Sequence, residues 1–138
     1  MLRLGAVTRE DVVYDVGCGD GRIVIAAARQ FGTRGVGVDI EPYWIEESRR
    51  NAELAGCADL VTFHVQDALT VDLSPATVVM LYLVEWSTAR LGAIIRAGVK
   101  PGTRVVSHSY GMTDWTPSKS ETFIDTGGTA RKLHLWIA

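Results

Sequence analysis

Asp15, Gly17, Gly19 and Gly21 alternate with other residues in Val13-Tyr14-Asp15-Val16-Gly17-Cys18-Gly19-Asp20-Gly21-Arg22. A further carboxylate, Asp39, closes Gly35-Val36-Gly37-Val38-Asp39. Without a Cβ, the glycines let the backbone turn sharply and come close to a ligand. A helix following such a turn offers unpaired N–H groups at its start. A carboxylate roughly 20 residues on is where βαβ units of this kind hold a ribose diol. The order of apolar run, glycine turn, helix, second run and carboxylate therefore describes a nucleotide-type pocket. Asp39 is the expected acceptor for the ribose hydroxyls, through charge-assisted hydrogen bonds.

The spacing also selects the nucleotide. A dinucleotide fingerprint is G-x-G-x-x-G, whose third glycine allows close helix–sheet packing around a pyrophosphate. Here the pattern is Asp-x-Gly-x-Gly-x-Gly, and the dinucleotide position holds Arg22. Asp15 and Asp20 would repel a pyrophosphate, whereas an ammonium or a sulfonium would be attracted. The ligand expected is S-adenosyl-L-methionine rather than NAD.

The elements that must hold these residues alternate along the chain. Val12–Val16 reads as a central strand, and Arg22–Phe31 as a helix stopped by Gly32. Residues 35–39 form the second strand. A helix then begins at Pro42 and reaches Leu54 or Ala55, with Gly56 as its stop and Glu46–Arg50 as a supporting pair. Leu60 to Val65 is a third strand. The unbroken apolar run from Ala76 to Leu83 suits a strand buried on both faces. Thr88 to Ala97 is helical, and Thr103 to His108 is a fifth strand after a Pro-Gly turn. Ser109 to Ser120 is an aromatic-bearing loop. Glu121 to Asp125 and Lys132 to Ile137 follow as strands joined through Gly127-Gly128, a hairpin signal.

From Tyr14-Asp15-Val16-Gly17-Cys18-Gly19-Asp20-Gly21-Arg22-Ile23-Val24 and Ala26-Ala27-Ala28, the chain resembles the class I, seven-strand S-adenosylmethionine-dependent methyltransferases. Within them it is similar to a compact bacterial and archaeal subgroup, some of it akin to seven-strand protein lysine methyltransferases. Pro101-Gly102-Thr103-Arg104-Val105-Val106-Ser107-His108 and Asp114-Trp115 also look like that subgroup. The resemblance runs from about Val12 to the C-terminus. It implies an α/β, Rossmann-like, doubly wound and mostly parallel seven-strand sheet with a C-terminal antiparallel hairpin. It also implies that Asp15 lies beneath the turn, orienting its amides and the cofactor's amino group. Asp67 would hold the adenine amino group, Ala68 would offer a backbone N–H to the ring, and Ile40 and Leu69 would pack near its faces. Each has a plainer reading: Asp15 as an acidic cap on a buried loop, Asp67 as a helix N-cap, and the two apolar residues as core. Glu41 is a weaker substitute for Asp39 in the ribose role. Against the family, the chain is minimal at its N-terminus, with only eleven residues before the first strand. The helix after strand five is replaced by the loop. An open domain follows, one that gains cover as a homodimer or lacks a tight substrate site.

Methyl transfer is an in-line displacement, for which a protein supplies alignment and a dry, shaped site. The resemblance puts the reacting end at the C-terminal edge of strand four, where the chain has Leu81-Tyr82-Leu83-Val84-Glu85-Trp86. The Asn/Asp-Pro-Pro-Tyr element used on planar amines is absent from this stretch, which argues against adenine-N6 or glutamine acceptors. The catalytic candidates are Tyr82, Glu85 and His108, with Leu83 and Tyr110 beside them. Glu85 would attract a cationic lysine or act as base, or is simply a helix-start carboxylate. His108 has the intrinsic pKa for proton transfer, though strand-end histidines are also structural. Trp115 either roofs the pocket or anchors its loop. His64 and His134 are given no role.

Composition sets the outer bounds. The 138 residues suit one domain. A net charge of −2 gives no electrostatic case for nucleic acid. Cys18 and Cys57 match neither a disulfide framework nor a metal site, and no apolar run approaches the roughly 20 residues of a membrane span. A cytoplasmic enzyme is expected, methylating a protein lysine or a small molecule. The competing readings are a cofactor-binding module of little activity and, last, a dinucleotide oxidoreductase.

Overall fold

The computed structural model describes residues 1–82, 85–112 and 115–138, without the side chains of 85–90. Its centre is a seven-stranded sheet in the order β3-β2-β1-β4-β5-β7-β6. The strands are β1 Val12–Val16, β2 Arg34–Asp39, β3 Val61–Val65, β4 Val78–Leu81, β5 Arg104–His108, β6 Lys119–Ile124 and β7 Ala130–Ile137. The first five are parallel, and β7 runs antiparallel between β5 and β6. This is the Rossmann-like, doubly wound sheet with an antiparallel end that the sequence predicts. The chain winds left from β1 to β3, then restarts at β4 on the other side of β1. Ligands in open α/β sheets bind in the crevice at such a switch point, beyond the carboxyl ends of the strands.

The helices are α1 Arg22–Phe31, α2 Pro42–Leu54 and α3 Glu85–Gly98. Strand alternation sorts side chains between two layers. Val13, Val78, Met80 and Val106 face α1 and α2, while Val16, Val79, Leu81 and Val105 face α3 and the fully buried Trp136. All four residues of β4 are buried, which explains why its sequence shows no alternation. Gly32 ends α1 in a left-handed conformation, its N–H donating to the Ala28 carbonyl at 2.9 Å.

The N-terminal segment is short but structural. Leu4 and Val7 are buried on β4 and β5, and a Cβ on Gly5 would meet Val106 at 3.3 Å. Arg104 donates to the carbonyls of Gly5 and Ala6 and pairs with Asp11. The segment thus covers the part of the sheet that α1 and α2 leave bare. One local expectation is corrected and one open alternative resolved. Arg50 pairs with Glu47 at 3.2 Å, three residues back, rather than with Glu46. Trp115 packs on Trp136 with ring centroids 6.0 Å apart, and its carbonyl accepts from Trp136 Nε1 at 2.8 Å. It anchors its loop on the α3 face and does not roof the pocket.

Candidate active site

The glycine turn after β1 is built from its own hydrogen bonds. Gly17 and Cys18 both donate to the Val38 carbonyl at 2.9 Å, and Gly19 donates to Asp39 Oδ2 at 3.1 Å. From α2, Ser48 Oγ holds the Gly19 carbonyl at 2.7 Å and Asn51 Nδ2 the Asp20 carbonyl at 3.1 Å. The sequence reading missed these two supports. The signal available was a polar residue, Ser48, on the buried stripe Ile45, Ser48, Ala52 of α2. Gly17, Gly19 and Gly21 all have positive φ (79°, 53° and 82°). At Gly21 a Cβ would lie 2.9 Å from the Phe63 ring, so helix and sheet meet there. At Gly19 nothing among the described residues lies within 4 Å of the corresponding position, so they leave the turn open on that side.

Asp15 lies under this turn, 1% exposed. Gly17, Cys18, Gly19 and Gly21 all direct their amides elsewhere: the Val38 carbonyl takes Gly17 and Cys18, the Cys18 carbonyl takes Gly21, and the Asp39 carboxylate takes Gly19. Oδ1 of Asp15 is buried with no hydrogen-bond partner among the described residues. Burial, reinforced by the charges of Asp39 and Asp20, pushes its carboxyl up to about 7. Leaving such a group unpaired is costly unless a partner arrives, and the neighbouring space can admit one. Asp15, Gly17 and Gly19 line a cavity of about 460 Å³ together with Arg22, Trp44 and Tyr82.

Asp20 carries less weight than its position suggests. Arg22 grips it with Nε and Nη2 at 2.8 to 3.3 Å, a fork that holds the Asp20 carboxyl below its ordinary range. Cys18 also faces the cavity, but burial and the Asp15 charge push its thiol up to about 12, which leaves it unreactive.

A second group forms the adjoining rim. Asp39 stands opposite Val65 in register, and its carbonyl accepts from Gln66 at 3.0 Å. Its Oδ1 accepts from the Glu41 amide at 3.0 Å. Ile40 is 65% exposed at the same edge. Asp67 caps a short 3₁₀ turn, Ala68–Thr70, with Oδ1 accepting from Leu69 N at 2.9 Å. Ala68 and Leu69 are partly buried against the α3-side core. The bond from Gly19 to Asp39 ties this rim to the cavity.

Beyond β4 and β5 lies a third group. Tyr82 lines the cavity and packs on His108 with ring centroids 4.3 Å apart and planes tilted by 50°. His108 Nδ1 lies 2.9 Å from Ser109 Oγ. Burial first, then the Arg131 charge, lowers the His108 pKa, which favours the neutral ring. Ser109 itself has φ 72°, an uncommon conformation for a residue with a Cβ. Glu85 is the first residue of α3, but its side chain, like Leu83 and Asp114, lies outside the described residues.

The buried, unpartnered Asp15 oxygen beside an open glycine turn suits a ligand that carries an ammonium group. The comparisons with known proteins agree. A model of the ANTKMT methyltransferase domain matches residues 15–119. A protein-lysine N-methyltransferase of Saccharolobus islandicus (strain REY15A) is 36% identical over 99% of this chain and 85% of its own length. The adenine nucleotide translocase lysine N-methyltransferase of Mus musculus is 34% identical over 79% of the chain, which spans only 48% of that protein. A crystal structure of an RNA methyltransferase from Salinibacter ruber in complex with S-adenosyl-L-homocysteine has a TM-score of 0.90. It is 44% identical, over 99% of this chain and 86% of that one. The chain belongs to the ANTKMT methyltransferase domain family and is a class I S-adenosylmethionine-dependent methyltransferase.

Proposed function

We propose that the acceptor is a lysine amine of a protein. The observation that carries this reading is 36% identity, over 99% of the chain, to a protein-lysine N-methyltransferase. It is supported by His108, a histidine of lowered pKa that packs on Tyr82 of the cavity wall. When bound, S-adenosylmethionine supplies an electrophilic methyl group on a sulfonium.

In this reading the chain's own residues divide the work. Asp15, ionised when it meets the amino group, holds one end of the cofactor. Arg22, with Nη1 left over from its fork on Asp20, holds the carboxylate. Gly17, Gly19 and Gly21 keep the turn open, and Gly19 passes its amide to Asp39. Asp39 takes the ribose hydroxyls with its remaining lone pairs, since each of its oxygens has accepted one amide. Oδ2 of Asp67 and the Ala68 amide meet the adenine edge, and Ile40 covers one face.

A lysine ammonium, with an unperturbed pKa near 10.4, must lose a proton before it can attack. His108 takes it at Nε2, with Nδ1–H donating to Ser109 Oγ. Tyr82 aligns the amine and Glu85 draws the cationic acceptor to the mouth. We read the chain as a single domain, because one sheet runs through it. Two buried, unpaired thiols suit the cytoplasm.

The test is labelled methyl incorporation from S-adenosylmethionine into denatured lysine-rich protein, with total RNA and a metabolite pool in parallel. Methyl-lysine after acid hydrolysis supports the reading. Label in RNA alone would favour the activity named for the Salinibacter ruber protein, and label in metabolites alone the small-molecule alternative. Cofactor binding without any transfer would describe a binding module.

A further inference from the structure

The acceptor side of the site extends beyond the residues singled out from the sequence. Tyr82 follows β4 at the alternation of Val78 and Met80, and His108 ends β5 at the alternation of Val106. Both therefore stand on the α1/α2 face of the sheet. Leu133 of β7 is in the same buried cluster and pairs with His108 on one side and Glu121 on the other. Phe123, two residues after Glu121 on β6, shares that face. Its ring meets His108 edge-on, with centroids 6.0 Å apart and planes at 72°. Three rings thus run from the hairpin to the cavity wall, and Tyr82 and Phe123 are 55% and 38% exposed.

We propose that this row is the lane along which an acceptor lysine reaches the cavity, which makes Phe123 a specificity residue contributed by the hairpin. The proposal rests on the lysine reading above. Aromatic faces attract ammonium groups, and methylated ammonium groups also. The rings are mutually tilted, so they line a channel rather than offer the flat stacking platform a nucleobase needs. Two cations bordering the row are paired with carboxylates: Arg131 with Asp125 at 3.0 Å, and Arg3 with Glu121 at 3.3 Å, a carboxylate that Lys119 shares at 3.0 Å. Ser109 fixes the middle ring. Its hydroxyl meets His108 Nδ1, and its amide donates to the Lys132 carbonyl at 2.7 Å, which ties the strained turn to β7. A lane of this chemistry retains mono- and dimethyl-lysine as well as lysine.

The experiment is steady-state methylation of a lysine peptide and its monomethyl form by wild type, Phe123→Leu and Phe123→Tyr. Binding of S-adenosylhomocysteine and melting temperature are measured in parallel. Phe123→Leu keeps β6 apolar and removes the ring. It is expected to raise KM for both peptides about fivefold, with kcat and S-adenosylhomocysteine affinity unchanged, and Phe123→Tyr is expected to restore KM. An unchanged KM in Phe123→Leu, or an equal loss of S-adenosylhomocysteine affinity, overturns the lane. A wild type that methylates no lysine peptide instead overturns the lysine reading, and the lane with it.

Discussion

Gly19 donates its amide to Oδ2 of Asp39 at 3.1 Å, joining the turn after β1 to the end of β2. Twenty residues apart in sequence, the two meet because Val13 to Val16 pair in register with Gly35 to Val38. Asp39 therefore shapes the turn besides taking the ribose hydroxyls in the proposed reading. Asp39→Asn keeps one oxygen acceptor but loses the charge that strengthens the bond. Asp39→Ala loses both acceptors. Calorimetry with S-adenosylhomocysteine is expected to show an affinity loss of about tenfold for Asn and about a hundredfold for Ala, at 1.4 kcal/mol per decade. Equal affinity in Asp39→Ala would remove the residue from the site.

In the proposed reading, Asp15 links cofactor binding to pH. Its carboxyl titrates near 7 in the fold, against 3.8 for the unperturbed group. Below about 7 it is protonated and offers an ammonium group no charge. Affinity for S-adenosylhomocysteine is expected to fall with acidification below about pH 7, up to tenfold per pH unit, and to level off above it.

The same carboxyl affects stability in the opposite sense. The fold retains a proton that the unfolded chain releases between pH 3.8 and about 7. The residue's stabilising contribution is thus full below 3.8 and lost as pH rises through about 7. Asp15→Asn is expected to raise the stability of the unliganded protein at pH 8, by of order 2–4 kcal/mol given about 1.4 kcal/mol per pKa unit. It should weaken cofactor binding at the same time. Denaturant titration at pH 5 and pH 8 checks this: the gain should appear at pH 8 and shrink at pH 5.

The fold and the cofactor side were legible because their signals are local. Three glycines at alternate positions, an apolar strand before them and a carboxylate after the next strand lie within a single βαβ unit. The division of labour between Asp15 and Asp39 was not legible. It depends on which amides Val38 and Asp39 capture across the β1–β2 pair. In the proposed acceptor row, Tyr82 and His108 were legible as candidates but Phe123 was not, since only the sheet order brings the hairpin strand β6 to the same face. Trp115 was ambiguous for the same reason: the strand alternation of Trp136, which anchors it, decides its face.

Gly21 is held to glycine by space as well as by φ 82°. An added methyl would press on the Phe63 ring between helix and sheet. Gly21→Ala is expected to lower stability by about 1–3 kcal/mol, the usual cost of overpacking, and to weaken cofactor binding by distorting the turn. A melting curve and a cofactor titration on the one variant check both.

The central claim is methyl transfer to protein lysine with His108 as base, and the most direct measurement is kcat on a lysine peptide for wild type and His108→Gln across pH 5 to 9. S-adenosylhomocysteine affinity is followed on the same samples. Methyl-lysine product is expected from the wild type. A fall in kcat of about 10²-fold or more is expected in His108→Gln, with cofactor affinity retained. Because the His108 pKa is lowered, the acid limb of the wild-type profile should lie below 6.5, and the variant should lose that limb. Product from the wild type with an undiminished rate in His108→Gln would contradict the proton-transfer role. No lysine product, with methylation of RNA, would contradict the account as a whole.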